Sequence, residues 1–202
     1  MIEVINLCKK FENRILFDNF SLTVPDGDFV VIAGNSGCGK TTLLNTIGGL
    51  EKPDSGTVLI DGENLYKMKS KRNFYLFQVG FLFQNFALIE NKTVRKNLEL
   101  VQKKARSGIS LEEALSFVGI LEKADTEVYK LSGGEQQRVA LARLIFKKCG
   151  IILADEPTGS LDTGNAEIVL HLLHRLCEKG KTVVMVTHNE KIIENERKVI
   201  RL

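Results

Sequence analysis

The chain has 202 residues, 44% of them hydrophobic and 26% charged, with a net charge of +3. That is the balance of an ordinary soluble globular protein, long enough to bury a sizeable core. The charge is too small to argue for nucleic acid, no apolar run approaches the ~18 residues of a membrane span, and Met1-Ile2-Glu3-Val4-Ile5 lacks a basic-then-apolar signal pattern. A cytoplasmic chain is expected, so any role at a membrane requires another polypeptide. Cys8, Cys38, Cys149 and Cys177 form no C-x-x-C pair and read as reduced thiols of a cytosolic protein.

Residues 1–28 read as β-structure. Residues 3–7 and 20–24 alternate apolar and polar side chains, the period of half-buried strands, and Pro25-Asp26-Gly27-Asp28 is a turn signal. Phe11 lies between these strands in a polar setting, where it can stack on a purine ring or simply pack a turn. The apolar run Phe29-Val30-Val31-Ile32-Ala33 then leads into Gly34-Asn35-Ser36-Gly37-Cys38-Gly39-Lys40-Thr41-Thr42, and a helix is expected from Thr41 to Ile47. Strand, glycine-rich loop and helix in that order is a P-loop matching G-x-x-x-x-G-K-[ST]. Each residue type has a physical reason. Glycines let the backbone turn tightly and approach a polyphosphate, and the loop N–H groups then face anionic oxygens. The helix adds the positive end of its dipole. Lys40 brings a compact charge to the β/γ-phosphates, and the Thr41 hydroxyl can ligate Mg²⁺.

Gly48-Gly49 is a helix stop, residues 52–56 are a turn, and residues 57–60 are a strand followed by the turn Asp61-Gly62. Residues 64–78 carry no clear period. Residues 79–83 read as a buried strand ending at Gln84. Residues 85–148 are expected to be largely helical: a helix from Thr93 to Lys104, a capping box at Ser110-Leu111-Glu112-Glu113, and another at Ser132-Gly133-Gly134-Glu135 leading into a helix to Lys147. The α/β character returns with the apolar run at 151–154, a helix over 164–179, a buried strand at 182–186 and an edge strand at 198–202. The sum is α/β: an open, mostly parallel sheet with a helical insertion.

Chemistry concentrates at the ends of the apolar strands, where such folds bind ligands. Asp155 and Glu156 follow residues 151–154; Asp155 can hold Mg²⁺ and Glu156 can polarise a water aimed at the γ-phosphate. His188 follows the next strand and can bond the γ-phosphate or the attacking water. Gln84 can reach Mg²⁺ or water, although by chemistry alone Gln78, in the similar setting Leu76-Phe77-Gln78, competes with it. His171 and His174 share a helix face without an acid or thiol partner and read as surface or packing residues. Cys38 lies at a helix amino terminus, where a thiolate is stabilised, or is an inert small residue. Residues 131–138, Leu-Ser-Gly-Gly-Glu-Gln-Gln-Arg, form another glycine-lined helix start and hence a second anion site. The two helix ends can face one phosphate within a monomer, or a two-fold dimer can sandwich two nucleotides between them. Spacing does not decide this.

The combination resembles the ATP-binding cassette (ABC) family across essentially the whole chain. Residues 34–42 look like Walker A, 131–138 like the signature motif, 151–156 like Walker B continuing into a D-loop to Asp162, Phe83-Gln84 like the Q-loop, and His188 like the switch histidine. Phe11 falls at the adenine-stacking position, usually a tyrosine. The resemblance implies one ABC ATPase domain over 1–202. Its parts would be a small antiparallel β-subdomain (1–28 and 55–65), a P-loop core (29–54, 79–84 and 149–202) and an inserted helical subdomain (85–148). It implies ATP and Mg²⁺ as cofactors, with residues 34–42 and Phe11 in cis and Ser132, Gly133, Gly134 and Glu135 from a second copy. Lys40, Gln84, Glu156 and His188 would be catalytic, and Thr41, Gln84 and Asp155 would hold the metal. Glu135 stands where glutamine is commoner, placing a carboxylate near phosphate unless the capping box turns it back. An integral membrane permease on another chain would dock near residues 84–89 through Phe86, Leu88 and Ile89, placing the cassette at the inner face of the membrane. Residues 154–162 resemble the lipoprotein-release, macrolide-export and antimicrobial-peptide group, and residues 83–94 resemble bacteriocin-export ATPases. The expected function is therefore to power export of a peptide, bacteriocin, lipoprotein or drug-like substrate. The alternative is signalling through a membrane partner without transport, as in the cell-division branch.

Overall fold

The computed structural model describes residues 1–12 and 14–202. In chain order the strands are β1 (Ile2–Phe11), β2 (Arg14–Val24), β3 (Phe29–Ala33), β4 (Ser55–Ile60), β5 (Glu63–Asn64), β6 (Val79–Leu82), β7 (Ile151–Asp155), β8 (Thr182–Thr187) and β9 (Val199–Arg201). The α-helices are α1 (Lys40–Ile47), α2 (Val94–Glu99), α3 (Leu111–Phe117), α4 (Gly133–Phe146), α5 (Thr163–Glu178) and α6 (Glu190–Asn195). An antiparallel sheet runs β2-β1-β4-β5, and a second sheet runs β6-β7-β8-β3-β9 with parallel pairing throughout its described strands.

The parallel sheet is covered on both faces, which explains its unbroken apolar runs. Successive strand side chains point to opposite faces. Ile152, Ala154, Val183 and Met185 enter one core with α2, α3, α4 and α5. Ile151, Leu153, Val184 and Val186 enter the other with α1 and the antiparallel sheet. Each fully buried Leu or Ile of this kind stabilises the fold by about 1.5–3 kcal/mol.

Parallel pairing also aligns the strand ends. Asp155 of β7 pairs with Val186 of β8, and Ala33 of β3 pairs with Thr187. The ends of these three strands therefore emerge side by side along one edge: the P-loop after β3, Asp155 and Glu156 at the end of β7, and His188 after β8.

Two expectations change. The first strands are longer than their alternation suggested, because β1 and β2 form a hairpin whose end pairs Phe11 with Arg14. Register shifts between Val4 and Lys10, and left-handed Asn6 and Asn19 (φ 50° and 54°), break the two-residue period that would have revealed it. The helix expected from Thr93 to Lys104 ends at Glu99, and Lys103–Ala105 is a separate 3₁₀ turn. Val94, Leu98, Val101 and Ala105 are nonetheless all buried, so the apolar spacing mimicked one continuous helix. In the unassigned stretch, Phe74–Gln78 forms a π-helical turn, anchored where the Tyr75 hydroxyl donates to the Gly49 carbonyl at 2.9 Å. Both expected capping boxes are present, Ser110 with Glu113 and Ser132 with Glu135. Among the described residues, no helix is long and apolar enough to cross a membrane.

Candidate nucleotide site

The loop between β3 and α1 bends at glycines. Gly37 and Gly39 have φ of 79° and 106°, a region that suits a residue without Cβ. Gly39 is also the N-cap of α1 and supplies no capping side chain, so the first helical N–H groups are left for a ligand. A Cβ on Gly39 would lie 2.9 Å from the Phe17 ring, which holds the β1–β2 hairpin against the loop.

Lys40 is only 7% exposed, and its ammonium donates to the Gly34 and Asn35 carbonyls at 2.8 and 3.0 Å. It also lies 4.0 Å from Glu156 Oε1. Thr41 Oγ1 donates to Asp155 Oδ1 at 2.9 Å. Burial pushes the Asp155 carboxyl above its ordinary range, against the bond from Thr41; Glu156 raises it further and Lys40 opposes. Glu156 has a left-handed backbone, φ 43°, uncommon for a residue with a side chain and the kind of local strain that gathers at working sites. Its N–H donates to the Val186 carbonyl at 3.1 Å. Its carboxylate joins two groups of the neighbouring strand end: His188 Nδ1 at 2.7 Å from Oε1, and the Thr187 hydroxyl at 3.2 Å from Oε2.

Lys40, Thr41, Glu156 and His188 line one cavity of about 520 Å³, while Asp155 and Thr187 support it without lining it. Of the expected residues, Phe11, Ser36, Gly37, Gly39, Lys40, Thr41, Thr42, Gln84, Glu156 and His188 line it. Gly34 and Asn35 lie behind, supplying carbonyls to Lys40. Cys38 packs over the loop, its sulfur 2.7 Å from where a Cβ on Gly34 would sit. Gln78 is elsewhere, in the π-helical turn, which separates it from Gln84. His174 stacks on Phe29 with centroids 4.1 Å apart and lies 2.8 Å from Glu196, a packing role, while His171 is exposed.

The start of α4 belongs to a second cavity of about 670 Å³, which Gly133 shares with Gln84, Asn85, Phe86, Asp155 and Ser160. Ser132, Gly133 and Gly134 do not line the P-loop cavity. Glu135 is turned back onto its own helix start: its Oε2 accepts the Ser132 N–H at 2.8 Å, and Lys123 lies 3.8 Å from its Oε1. A Cβ on Gly134 would collide with the Asn165 amide, so glycine there lets α4 and α5 touch. Arg138 and Gln137 extend the contact, donating to Asn165 Oδ1 at 2.8 Å and to the Pro157 carbonyl at 2.6 Å.

The sequence of the family described as "ABC transporter" matches residues 17–159. The chain belongs to the ABC transporter family. This cassette is 37% identical over 209 residues to the macrolide export ATP-binding/permease protein MacB of Campylobacter jejuni, covering all of this chain and 33% of that protein. It is 40% identical over 190 residues to an ABC transporter ATP-binding protein of Thermotoga maritima, covering 90% of this chain and 81% of the other. Its fold matches the dimeric structure of MJ0796, a bacterial ABC transporter cassette, with a TM-score of 0.87 and 38% identity over 100% of this chain and 94% of that one. A post-hydrolysis dimer of MJ0796 bound to ADP and Pi matches with a TM-score of 0.85 and 36% identity, over the same shares of each chain. The chain thus spans about a third of the length of the MacB relatives.

Sequence reasoning missed Arg14, Leu16 and Thr187. Arg14 and Leu16 line the P-loop cavity from β2, and the Arg14 Nη2 donates to the Gly37 carbonyl at 2.8 Å. Their signal lay in the pairing of Phe11 with Arg14, which the broken alternation of the hairpin concealed.

Proposed function

We propose that this cassette hydrolyses ATP to power a membrane export complex, working as a pair of copies that close on two nucleotides. The observation that carries the reading is the meeting of Thr41 with Asp155, and of Glu156 with His188, at the end of a P-loop strand array. Phosphate oxygens would draw the Lys40 ammonium from its two neutral carbonyls, because bonds between charged groups are about twice as strong. The Thr41 hydroxyl and Asp155 carboxylate are hard oxygen donors 2.9 Å apart, a donor set that fits Mg²⁺ completed by water and phosphate oxygens. Bound there, the ion would neutralise charge on the phosphates. Glu156, which lines the cavity, would take a proton from the attacking water. His188, whose side chain is 62% exposed, would hold the Glu156 carboxylate in place and present its other ring nitrogen to the γ-phosphate.

The separation of Ser132 and its glycines from the P-loop cavity supports a two-copy site. In that arrangement the α4 start of one copy completes the P-loop cavity of the other. Glu135 then serves α4 as its capping partner, with Ser132, Gly133 and Gly134 meeting phosphate.

The permease surface extends beyond residues 84–89. Leu88 packs against the main core and Phe86 is half-buried, while Ile89 is 42% exposed. Beside them, Tyr75, Phe83, Leu100 and Val101 line a groove of about 300 Å³, with Leu100 54% exposed. Gln102, Arg143 and Lys147 also line it, and a membrane-partner segment with an apolar face would dock there. The substrate class carried by the resemblance is a peptide, bacteriocin, lipoprotein or drug-like molecule.

ATPase rate per molecule should rise with protein concentration, and purification of the intact complex should bring a permease with the cassette. Full activity in copies kept apart, or an active Ser132→Arg variant, would sink the two-copy reading.

A further inference from the structure

Arg14 stands opposite Phe11 at the end of the β1–β2 hairpin, and both line the P-loop cavity. Its Nη2 rests on the Gly37 carbonyl at 2.8 Å. The same hairpin touches the loop again where Phe17 meets Gly39. The hairpin thus meets the phosphate loop at two points, Arg14 with Gly37 and Phe17 with Gly39. A guanidinium has several N–H donors in a planar fork. Among the described residues no carboxylate pairs with this one. The charge of Lys40, by contrast, is already shared with Glu156 at 4.0 Å. Arg14 is therefore the cation of this cavity without a counter-charge, held by a neutral carbonyl that an anionic oxygen would outcompete.

We propose that Arg14 binds the nucleotide directly, its guanidinium contacting the phosphate chain near the sugar while Lys40 serves the far end. The placement follows from its two neighbours: Phe11, where the base would stack, and Gly37, within the phosphate loop. The inference rests on the reading of this cavity as a nucleotide site.

The test compares Mg·ADP and Mg·ATP binding by calorimetry for the wild type, Arg14→Lys, Arg14→Gln and Lys40→Ala. Glutamine can still donate an uncharged N–H to Gly37, whereas lysine keeps the charge. The expected result is about ten-fold weaker binding for Arg14→Gln, the size of a lost charge-assisted bond, with Arg14→Lys within about three-fold of wild type. That deficit should shrink in about 0.5 M salt. Wild-type affinity in Arg14→Gln, or equal losses in both Arg14 variants with lowered melting temperatures, overturns the proposal in favour of a purely structural tie. If Arg14→Gln weakens ATP but not 2′- or 3′-deoxy-ATP, the contact is to a sugar hydroxyl and the phosphate assignment is overturned. A wild type that binds no nucleotide, or a harmless Lys40→Ala, would instead defeat the reading of the whole cavity.

Discussion

Glu156 Oε1 lies 2.7 Å from His188 Nδ1, so the acid after β7 and the histidine after β8 form one unit across adjacent parallel strands. If Glu156 activates the attacking water, Glu156→Gln should retain ATP, lose at least about a hundred-fold in turnover, and accumulate as a nucleotide-bound dimer on gel filtration. Turnover at the wild-type rate would show the proton acceptor to be another residue.

The contact between α4 and α5 depends on the missing side chain at Gly134. Gly134→Ala forces a methyl group into the Asn165 amide, whose oxygen accepts from Arg138 and whose nitrogen donates to Asp162 Oδ2 at 2.6 Å. Overpacking of this kind costs about 1–3 kcal/mol, to be read from the urea midpoint at unchanged slope. Unaltered stability would mean that the helices separate freely there.

Acid should weaken the two capping boxes. Glu113 and Glu135 accept the N–H groups of Ser110 and Ser132 at 2.6 and 2.8 Å, and these backbone bonds hold both carboxyls below the ordinary glutamate value. A carboxyl depressed in the folded state stabilises it above the unfolded pKa, and that contribution is lost as pH falls through the folded value. Between about pH 5 and pH 3, the melting temperature of the wild type should fall more steeply than that of the Glu113→Gln, Glu135→Gln double variant. Parallel curves would remove the boxes from the acid response.

Cys38 packs against Gly34 inside the phosphate loop, so a group added to its sulfur would sit at the loop that faces the phosphates. Alkylation of this thiol should abolish nucleotide binding, and ATP should slow the alkylation. Equal labelling rates with and without ATP, followed by mass spectrometry of the loop peptide, would place the sulfur outside the nucleotide's reach.

Much of this molecule is written in local pattern. The P-loop, the capping boxes and the apolar runs of β3, β7 and β8 are short-range features whose residue types follow from backbone geometry and burial. They were legible without coordinates, as was the concentration of Asp155, Glu156 and His188 at strand ends. The hairpin reach of β1 and β2 was not, because left-handed Asn6 and Asn19 and the shifted register destroy the period on which strand reading relies. The break after Glu99 was hidden by apolar spacing that a helix and a bent segment satisfy equally.

The sequence by itself determined which chemical groups this protein carries and on what kind of local element each one rides, since turn, cap and burial preferences act over a few residues. Only the tertiary structure decided which of them meet: Thr41 with Asp155, Glu156 with His188 and Thr187, Arg14 with Gly37, and α4 opening away from the P-loop cavity. Those meetings are set by parallel register and by helix and hairpin packing between segments far apart in the chain, and no local period records such distances.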